Sequence, residues 1–356
     1  MEDPIIVYVD KEGKERELEI DEEETKLDLS GKGVTSIDLE TVISIPDLRE
    51  LDLGRNALQE IDLSPLIKAK GLQRLSLFKN QFTFLNLKPI AKFESLEELN
   101  LGTNQLGSID LKPFSFIPSL KRLRLFNNGL SELDLKPLAG CENLETLEVE
   151  NNELSAIDLA PLSGCHNLLQ LNLMYNKLTE IDLTPLSDCT NLKFVYLHHN
   201  QIQSIDLAPF SNCTDLRILR LGSNLIEQID LTPLTSCTEL RRLGLAMNGL
   251  LSLDIDPLSE MENLSSLDIA GNHLTKLDLQ PLENCEELTE LYLFSDHPEE
   301  NEFSKLDISP LFNCVELEDF GVSHDTILQA SKKLQDEEDI PMALEELLED
   351  NRIEWV

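Results

Sequence analysis

The stretch "NLLQLNLMYNKLTEIDLTPLSDCT", residues 167–190, is one complete repeat of 24 residues that recurs along most of the chain. Its first half alternates leucine with variable residues and ends at Asn176, and its second half contains Ile-Asp-Leu, Thr-Pro and a cysteine. A fixed period of this length is typical of a solenoid, in which each unit buries its apolar residues against its neighbours. The asparagine recurs every 24 residues, at Asn56, Asn80, Asn104, Asn128, Asn152, Asn176, Asn200, Asn224, Asn248 and Asn272, with Lys32 and Asp296 at the equivalent outer positions.

The two halves of the repeat predict different local structures. Leu-x-Leu alternation has the period of a β-strand, so the leucines point to one side. The recurring asparagine can hydrogen-bond backbone groups in the turn that follows. The Ser-Pro and Thr-Pro pairs, as at Ser64–Pro65 and Thr184–Pro185, predict an N-cap followed by proline in the first turn of a short helix.

The pattern L-x-x-L-x-L-x-x-N resembles the leucine-rich repeat signature, and it extends from about residue 24 to about residue 323. The second half, as in "IDLTPLSDCTNL", resembles internalin-type repeats with a cysteine in place of a leucine. This resemblance implies an α/β fold: a leucine-rich-repeat solenoid with a parallel concave β-sheet and short helical turns or strands on the convex side.

The ends of the chain differ from the repeats and predict caps. Residues 1–23 read as a β-hairpin cap around a Lys-Glu-Gly-Lys turn, residues 24–323 as the solenoid, and residues 324–356 as a helical cap. In the last segment, the spacing over 325–349 is helical, and the residues expected to cover the final repeat are Met342, Leu344, Leu347, Leu348 and Trp355. A five-residue insertion within 295–303 predicts a protruding acidic loop.

Charge and apolar content limit the partners. The chain has 67 acidic and 29 basic residues, a formal net charge of −38, which disfavours nucleic acid and anionic membranes as partners. The N-terminal segment lacks the features of a signal peptide, and no apolar run approaches the roughly 18 residues of a membrane span. We therefore expect a soluble, cytoplasmic protein, and a monomer.

The seven cysteines occupy one position of the repeat, which other units fill with Ile45, Phe93, Ile117 or Met261. A position shared with these residues is apolar core, where cysteine acts as a small hydrophobe. With no C-x-x-C pair, zinc is not expected. An odd number of buried thiols suits a reducing compartment. The cysteines are Cys141, Cys165, Cys189, Cys213, Cys237, Cys285 and Cys314.

A column of aspartates, including Asp62, Asp110, Asp182 and Asp230, follows the same period. Stacked carboxylates can bind calcium, but each repeat offers only one, so we expect a solvated or turn-stabilising role. The chain has no glycine-rich phosphate loop, no G-x-S-x-G and no H-E-x-x-H motif. We therefore expect no enzyme activity, no cofactor and no metal.

Function should depend on the variable positions of the first half of the repeat. Nine of the eleven arginines and three of the four tyrosines fall there. In the six units that begin at Leu120 through Leu240, these positions hold eight basic and three acidic residues. Tyrosine, phenylalanine, methionine and arginine are enriched in protein interfaces and their hot spots.

We therefore predict that the concave face binds a protein or peptide, with arginines meeting an acidic or phosphorylated segment. Two alternatives remain: a regulatory subunit that holds an enzyme such as a phosphatase or small GTPase, and a metal-binding or catalytic protein that uses the His198/His199 pair, with Glu150 as a third ligand in the case of a metal. The predicted partner-binding residues are Arg122, Arg124, Phe126, Met174, Tyr175, Phe194, Tyr196, His198, His199, Arg220, Arg242 and Met247.

Overall fold

The computed structural model describes residues 4–21, 23–294, 300–337 and 339–356. The chain forms two compact units, Met1–Lys177 and Leu178–Val356. Each unit is a run of 24-residue repeats, with a short strand in the first half of the repeat and a short helical turn in the second. The predicted leucine-rich-repeat solenoid is therefore confirmed.

The first unit begins with an antiparallel sheet in which β1 pairs with both β2 and β4, and it continues with parallel strands that pair in chain order. One short helix, α1, lies at Leu39–Val42. The strands are β1 Ile5–Asp10, β2 Glu15–Glu19, β3 Lys26–Asp28, β4 Val34–Ile37, β5 Glu50–Asp52, β6 Arg74–Ser76, β7 Glu98–Asn100, β8 Arg122–Arg124, β9 Thr146–Glu148 and β10 Gln170–Asn172.

The second unit repeats this arrangement: its repeat strands pair in parallel in chain order from β11 to β15, and β15 pairs with β17. A separate parallel sheet joins β16, β18 and β19, and helix α2 spans Met342–Glu349. The strands are β11 Phe194–Tyr196, β12 Ile218–Arg220, β13 Arg242–Gly244, β14 Ser266–Asp268, β15 Glu290–Tyr292, β16 Lys305–Asp307, β17 Asp319–Gly321, β18 Ile327–Ala330 and β19 Ile353–Trp355.

The repeat strands β5 to β15 are each three residues long, and burial alternates along them as the Leu-x-Leu pattern predicts. In β11 the central Val195 is fully buried while Phe194 and Tyr196 remain partly exposed. The leucine two positions after the central residue, such as Leu197, is also buried. Side chains on the opposite side of the strands form a surface that we call the strand face.

The repeated asparagine connects neighbouring repeats. The Asn224 Nδ2 group donates to the carbonyl oxygens of Leu197 at 3.0 Å and Leu221 at 2.9 Å. Its Oδ1 accepts the Ile202 N–H at 3.0 Å. Only a side chain with both a donor and an acceptor meets these backbone groups, which explains why asparagine recurs. In the second unit Asn301 continues the series, accepting the Leu274 N–H at 2.9 Å, whereas Asp296 lies outside the described residues.

The residue before each asparagine has left-handed backbone. His199 and Met247, for example, have φ of 55°, a conformation that is uncommon outside glycine. The turn holds it by a hydrogen bond to the next repeat: the His199 N–H donates to the Gly222 carbonyl at 2.9 Å, and the Met247 N–H to the Ala270 carbonyl at 2.7 Å. The left-handed backbone thus fixes the direction of the side chain at this position, which projects beside the strand face.

Helical turns of the 3-10 type begin at the predicted Ser-Pro and Thr-Pro pairs, but serine and threonine are not the caps. Instead, the Asp62 carboxylate accepts the Ser64 N–H at 2.9 Å, and Asp230 does the same for Thr232 at 2.9 Å. The aspartate column thus stabilises turns, as predicted. The turns span Ser64–Lys68, Lys88–Lys92, Lys112–Phe116, Lys136–Gly140, Ala160–Gly164, Thr184–Leu186, Ala208–Asn212, Thr232–Ser236, Asp256–Leu258, Gln280–Leu282, Ser309–Asn313 and Lys332–Leu334.

All seven cysteines are buried thiols, as their shared position predicted. Their sulfurs face backbone carbonyls of neighbouring repeats, as for Cys237 with the Phe210 oxygen at 3.5 Å. Burial raises the pKa of the Cys237 thiol to about 11 and that of Cys213 to about 12. These thiols pack as core residues and are poor nucleophiles near neutral pH.

The ends carry the predicted hairpin and one helix. The C-terminal segment is less helical than its spacing suggested, because Ile327–Ala330 and Ile353–Trp355 are strands and only Met342–Glu349 is an α-helix. Leu344 is buried there, whereas Met342 is exposed. Most of the predicted acidic loop, 295–299, lies outside the described residues. The boundaries of 1–23, 24–323 and 324–356 remain predictions.

Candidate functional site

In the first unit, carboxylates from neighbouring strands pair with the predicted arginines. Arg122 forms ion pairs with Glu98 and, at 3.0 Å, with Glu145. Arg124 Nε lies 2.8 Å from Glu148, and its Nη1 lies 3.8 Å from Glu98. These guanidinium groups already have anionic partners, so a ligand would have to compete with them.

The other predicted residues of the first unit are apolar or aromatic. The ring of Phe126 lies 5.7 Å from that of Phe78, and the Arg55 guanidinium lies 5.6 Å from the Phe78 ring centre. Met174 is half-buried, and Tyr175 is 48% exposed. Tyr175 has left-handed backbone, which explains why its side chain projects beside the strand rather than from it.

In the second unit, the stretch "FVYLHHN", residues 194–200, forms β11 and the turn after it. Phe194 pairs with Ile218, and Tyr196 with Arg220, across the β11–β12 ladder. The His198 ring centre lies 6.2 Å from that of Tyr196 and 5.4 Å from that of His199. The structure therefore brings Tyr196, the two histidines and Arg220 onto one part of the strand face.

The arginines of the second unit differ from those of the first in their partners. Within the described residues, no carboxylate lies within 4.0 Å of Arg217, Arg220, Arg241 or Arg242, although Lys193 lies 3.7 Å from Asp215. The Arg217 Nε is buried with no hydrogen-bond partner in the same part of the chain. Asp268 acts on Arg220 electrostatically from beyond this ion-pair distance.

A depression lies beside this cluster of arginines because two successive repeats carry small residues there. Gly222, Gly244 and Ala246 form its floor, and Arg220 and Asp268 flank it, in a cavity of about 210 Å³. We call it the Gly244 slot; its residues are His198, His199, Arg220, Gly222, Ser223, Gly244, Ala246, Met247 and Asp268.

Burial sets the charge states around the slot. It lowers the pKa of His198 to about 4, helped by the charges of His199 and Arg220, and it lowers the pKa of His199. Both imidazoles are therefore neutral near pH 7. Burial also raises the pKa of Asp268, opposed by the hydrogen bond from the Ala270 N–H and by Arg220, and it raises the pKa of Tyr196.

The slot contains serine, histidine and aspartate, but their arrangement does not support nucleophilic catalysis. The Ser223 hydroxyl donates to the Met247 sulfur at 3.6 Å, whereas an activated serine needs a hydrogen bond to its base. Among the described residues, no group of three His, Cys, Asp or Glu side chains could hold a metal ion. The geometry therefore offers recognition by arginine, aspartate and aromatic groups.

Reading the sequence by repeat position identified Arg220, Arg242, His198, His199 and Met247, but it missed the slot. The residues that create it, Gly222, Gly244 and Ala246, carry almost no side chain, and Asp268 was not singled out. The available signal was the set of small residues at the outward positions of two successive repeats, where other repeats carry larger residues such as Phe126, Met174 and Tyr196.

Comparisons with known proteins agree with the fold. A family model described as "Leucine rich repeat" matches residues 70–130, 142–202 and 238–297, just over half of the chain. A second model, "Leucine Rich repeats (2 copies)", matches residues 118–161 and 190–236. The chain belongs to the leucine-rich repeat family. This membership supports a protein-interaction module in general.

Solved structures resemble the chain over most of its length. An internalin, InlF from Listeria monocytogenes, is 25% identical over 86% of this chain and 91% of its own, with a TM-score of 0.68. The Leptospira interrogans leucine-rich repeat protein LIC12759 is 21% identical over 94% and 96%, with a TM-score of 0.70. The plant peptide hormone receptor RGFR1, solved in complex with RGF2, is 20% identical over 91% and 52%, with a TM-score of 0.64.

Two further comparisons gave negative results. A search of curated proteins found no significant match. Within the described residues, no helix combines the length and the apolar character needed to cross a bilayer.

Proposed function

We propose that the protein is a non-catalytic recognition module that binds a protein or peptide on the strand face of its second unit. An acidic or phosphorylated segment of the partner meets Arg220 and Arg242, with Arg217 and Arg241 beside them. Phe194, Tyr196 and Met247 provide apolar contacts around these charges. Aromatic and methionine side chains next to arginine are the composition of interface hot spots.

The observation that carries this proposal is the difference between the arginines of the two units. Arg122 and Arg124 have carboxylate partners, whereas no carboxylate lies within salt-bridge distance of Arg220 or Arg242 in the described part of the chain. In a protein with a net charge of −38, arginines that have no carboxylate within ion-pair distance among the described residues favour an anionic ligand, since guanidinium binds carboxylate and phosphate with paired hydrogen bonds.

The size of the slot favours a macromolecular partner over a cofactor. Its volume of about 210 Å³ is below the roughly 300–1,000 Å³ of typical small-molecule sites. The strand face around it also offers exposed contacts, such as Met247 at 39% exposure. RGFR1, which shares the fold, was solved with RGF2 bound, which supports a peptide as the form of partner.

The cellular setting is part of the same proposal. Seven buried thiols suit a reducing compartment, so we propose a cytoplasmic monomer. Nucleic acid and membrane surfaces are not proposed as partners, because such extended polyanions would meet the acidic surface of a chain with a net charge of −38 well beyond the arginines.

The test measures the binding of fluorescein-labelled acidic peptides by fluorescence anisotropy at about 0.15 M salt. Arg220→Gln with Arg242→Gln should weaken binding by at least about tenfold, because losing a hydrogen-bonded charge costs about 1.5–3 kcal/mol. The matched control, Arg122→Gln with Arg124→Gln, makes the same change of charge on the first unit and should alter binding by less than about twofold. Circular dichroism checks that both variants fold. Stronger loss in the control would overturn the proposal.

A further inference from the structure

We infer that the Gly244 slot receives one side chain of the partner that ends in a carboxamide, a glutamine or an asparagine. This inference rests on the proposed function, because it names the anchor residue of the peptide that the strand face binds. It is carried by the two groups that face each other across the slot, a guanidinium on one side and a carboxylate on the other.

The ladder places these groups two strands apart. Arg220 pairs with Gly244, and Gly244 pairs with Asp268. Neighbouring strands lie about 4.8 Å apart, so the two backbones stand roughly 10 Å from each other. A side chain at position 244 would fill the gap between them, and glycine leaves it open. An added Cβ there would meet only Arg220 atoms, the nearest of them Cγ at 3.6 Å.

The chemistry of the two sides differs in a way that selects the ligand. Arginine only donates hydrogen bonds, and an ionised aspartate only accepts them. A partner carboxylate would gain Arg220 but face Asp268, with Glu290 close to both. A partner ammonium group would gain Asp268 but face Arg220. A carboxamide presents its oxygen to Arg220 and its NH₂ to Asp268, so both sides are satisfied.

An apolar side chain in the slot would cover charged groups without replacing their hydrogen bonds to water, which is costly. Sites built to hydrogen-bond a ligand reject analogues that lack the group, because the buried polar atoms are then left unpaired. His198 and Met247 also line the slot, and the volume of about 210 Å³ suits one side chain rather than a longer segment.

Two substitutions should change the slot. The residues at the equivalent positions of other repeats indicate that the fold tolerates both. Asn100 and Asn172 occupy the position of Asp268 in earlier repeats, and their Oδ1 atoms accept the Gly102 and Met174 N–H groups at 3.0 and 3.3 Å. Asp268 makes the same bond to Ala270 at 3.3 Å, so Asp268→Asn should fold. Position 244 carries Arg124, Glu148 and Tyr196 in other repeats, so Gly244→Leu should fold as well.

The experiment uses nine-residue fluorescein-labelled peptides with three acidic residues on one side of a single variable position. That position holds Gln, Asn, Glu, Lys or Leu, and the dissociation constant is measured by anisotropy. We expect the wild type to prefer the better of Gln and Asn over Glu, Lys and Leu by at least about tenfold. Asp268→Asn should reduce the preference over Glu, because one of the two repelling carboxylates is gone and Glu290 remains. Gly244→Leu should abolish all preference, because the slot is filled.

The outcomes separate this inference from the proposed function. Equal affinity of the wild type for Gln, Glu and Leu peptides would overturn the inference and leave the acidic-segment proposal standing. An unchanged preference in Gly244→Leu, with folding confirmed by circular dichroism, would place the anchor elsewhere and also overturn it. Failure of every acidic peptide to bind the wild type would overturn both proposals.

Discussion

At the scale of single residues, Glu150 shows how the surroundings of a side chain override its place in the repeat. The repeat pattern assigns it to an exposed outward position, but its Oε2 is buried with no hydrogen-bond partner in the described part of the chain. Burial raises its pKa to about 7, with Glu148 adding to the shift, while its own backbone N–H and Arg124 oppose it. An acid in this position destabilises the fold when it ionises.

This predicts a pH-dependent gain for Glu150→Gln. The folded-state pKa of Glu150 is raised above the unfolded value near 4.5, so folding favours the protonated carboxyl. The stability that this protonated form provides is fully present below pH 4.5 and is lost as the pH rises through 7. Glutamine cannot ionise, so at pH 8 the variant should be more stable by about 1–2 kcal/mol, discounted for the exposed part of the side chain. Urea unfolding at pH 8 and pH 4 measures the difference, which should vanish at pH 4.

The matched control is Glu153→Gln in the same repeat, where the carboxylate is half exposed and pairs with Lys177. Exposed pairs contribute little, so its stability should change by less than about 0.5 kcal/mol at either pH. A gain for Glu150→Gln that persists at pH 4 would show that packing, and not ionisation, is responsible.

At the scale of elements, the turn that follows each strand depends on the repeated asparagine. Asn224→Leu removes the two bonds to Leu197 and Leu221 and the one from Ile202, and all of these groups are buried. Each unsatisfied group costs roughly 1–3 kcal/mol, so the variant should unfold at a clearly lower temperature than the wild type.

The comparison for this prediction is Asp230→Asn in the same repeat. Asparagine keeps an oxygen for the Thr232 N–H and lies on an exposed turn, so we expect a change below about 0.5 kcal/mol. Thermal unfolding followed by circular dichroism measures both variants. Equal losses would show that the asparagine bonds contribute little beyond the aspartate cap.

The elements also show what could be predicted from the sequence. The strand, the asparagine turn and the buried cysteine position follow from periodicity, since each repeat buries the same atoms. The helix cap was assigned to Ser64 and Thr184, but the aspartate two residues earlier accepts the N–H. Periodicity places a column of residues, yet it does not say which of two adjacent polar side chains reaches the backbone.

The candidate site was harder to predict, because it depends on pairs between repeats. The charges at equivalent positions of the repeats do not distinguish Arg122 and Arg124 from Arg220 and Arg242 as candidate binding residues. Glu98, which pairs with both arginines of β8, belongs to the preceding repeat and was outside the counted block. The Gly244 slot is hard to predict for a different reason. It forms where Gly222, Gly244 and Ala246 have little or no side chain, whereas a column of residues draws attention to large side chains.

At the scale of the whole molecule, an anionic ligand must approach a chain with a net charge of −38. Screening reduces this repulsion beyond about 8 Å at physiological salt, so the arginines at the contact govern binding more than the total charge does. Lys193, Arg217, Arg220, Arg241 and Arg242 lie on or beside β11 to β13, whereas Asp268, Glu290 and Asp319 follow on β14 to β17. The strand face of the second unit is thus basic on its early strands and acidic on its later ones.

The central claim is that this strand face, around the Gly244 slot, is the binding surface. The most direct measurement is photo-cross-linking of an acidic, glutamine-containing peptide that carries a benzophenone group next to the glutamine, followed by mass mapping of the adducts. The account predicts adducts on the walls of the slot, foremost Met247, and their loss in Gly244→Leu. Adducts confined to Arg122–Phe126 of the first unit, or to the helical turns that follow the aspartate column, would contradict it.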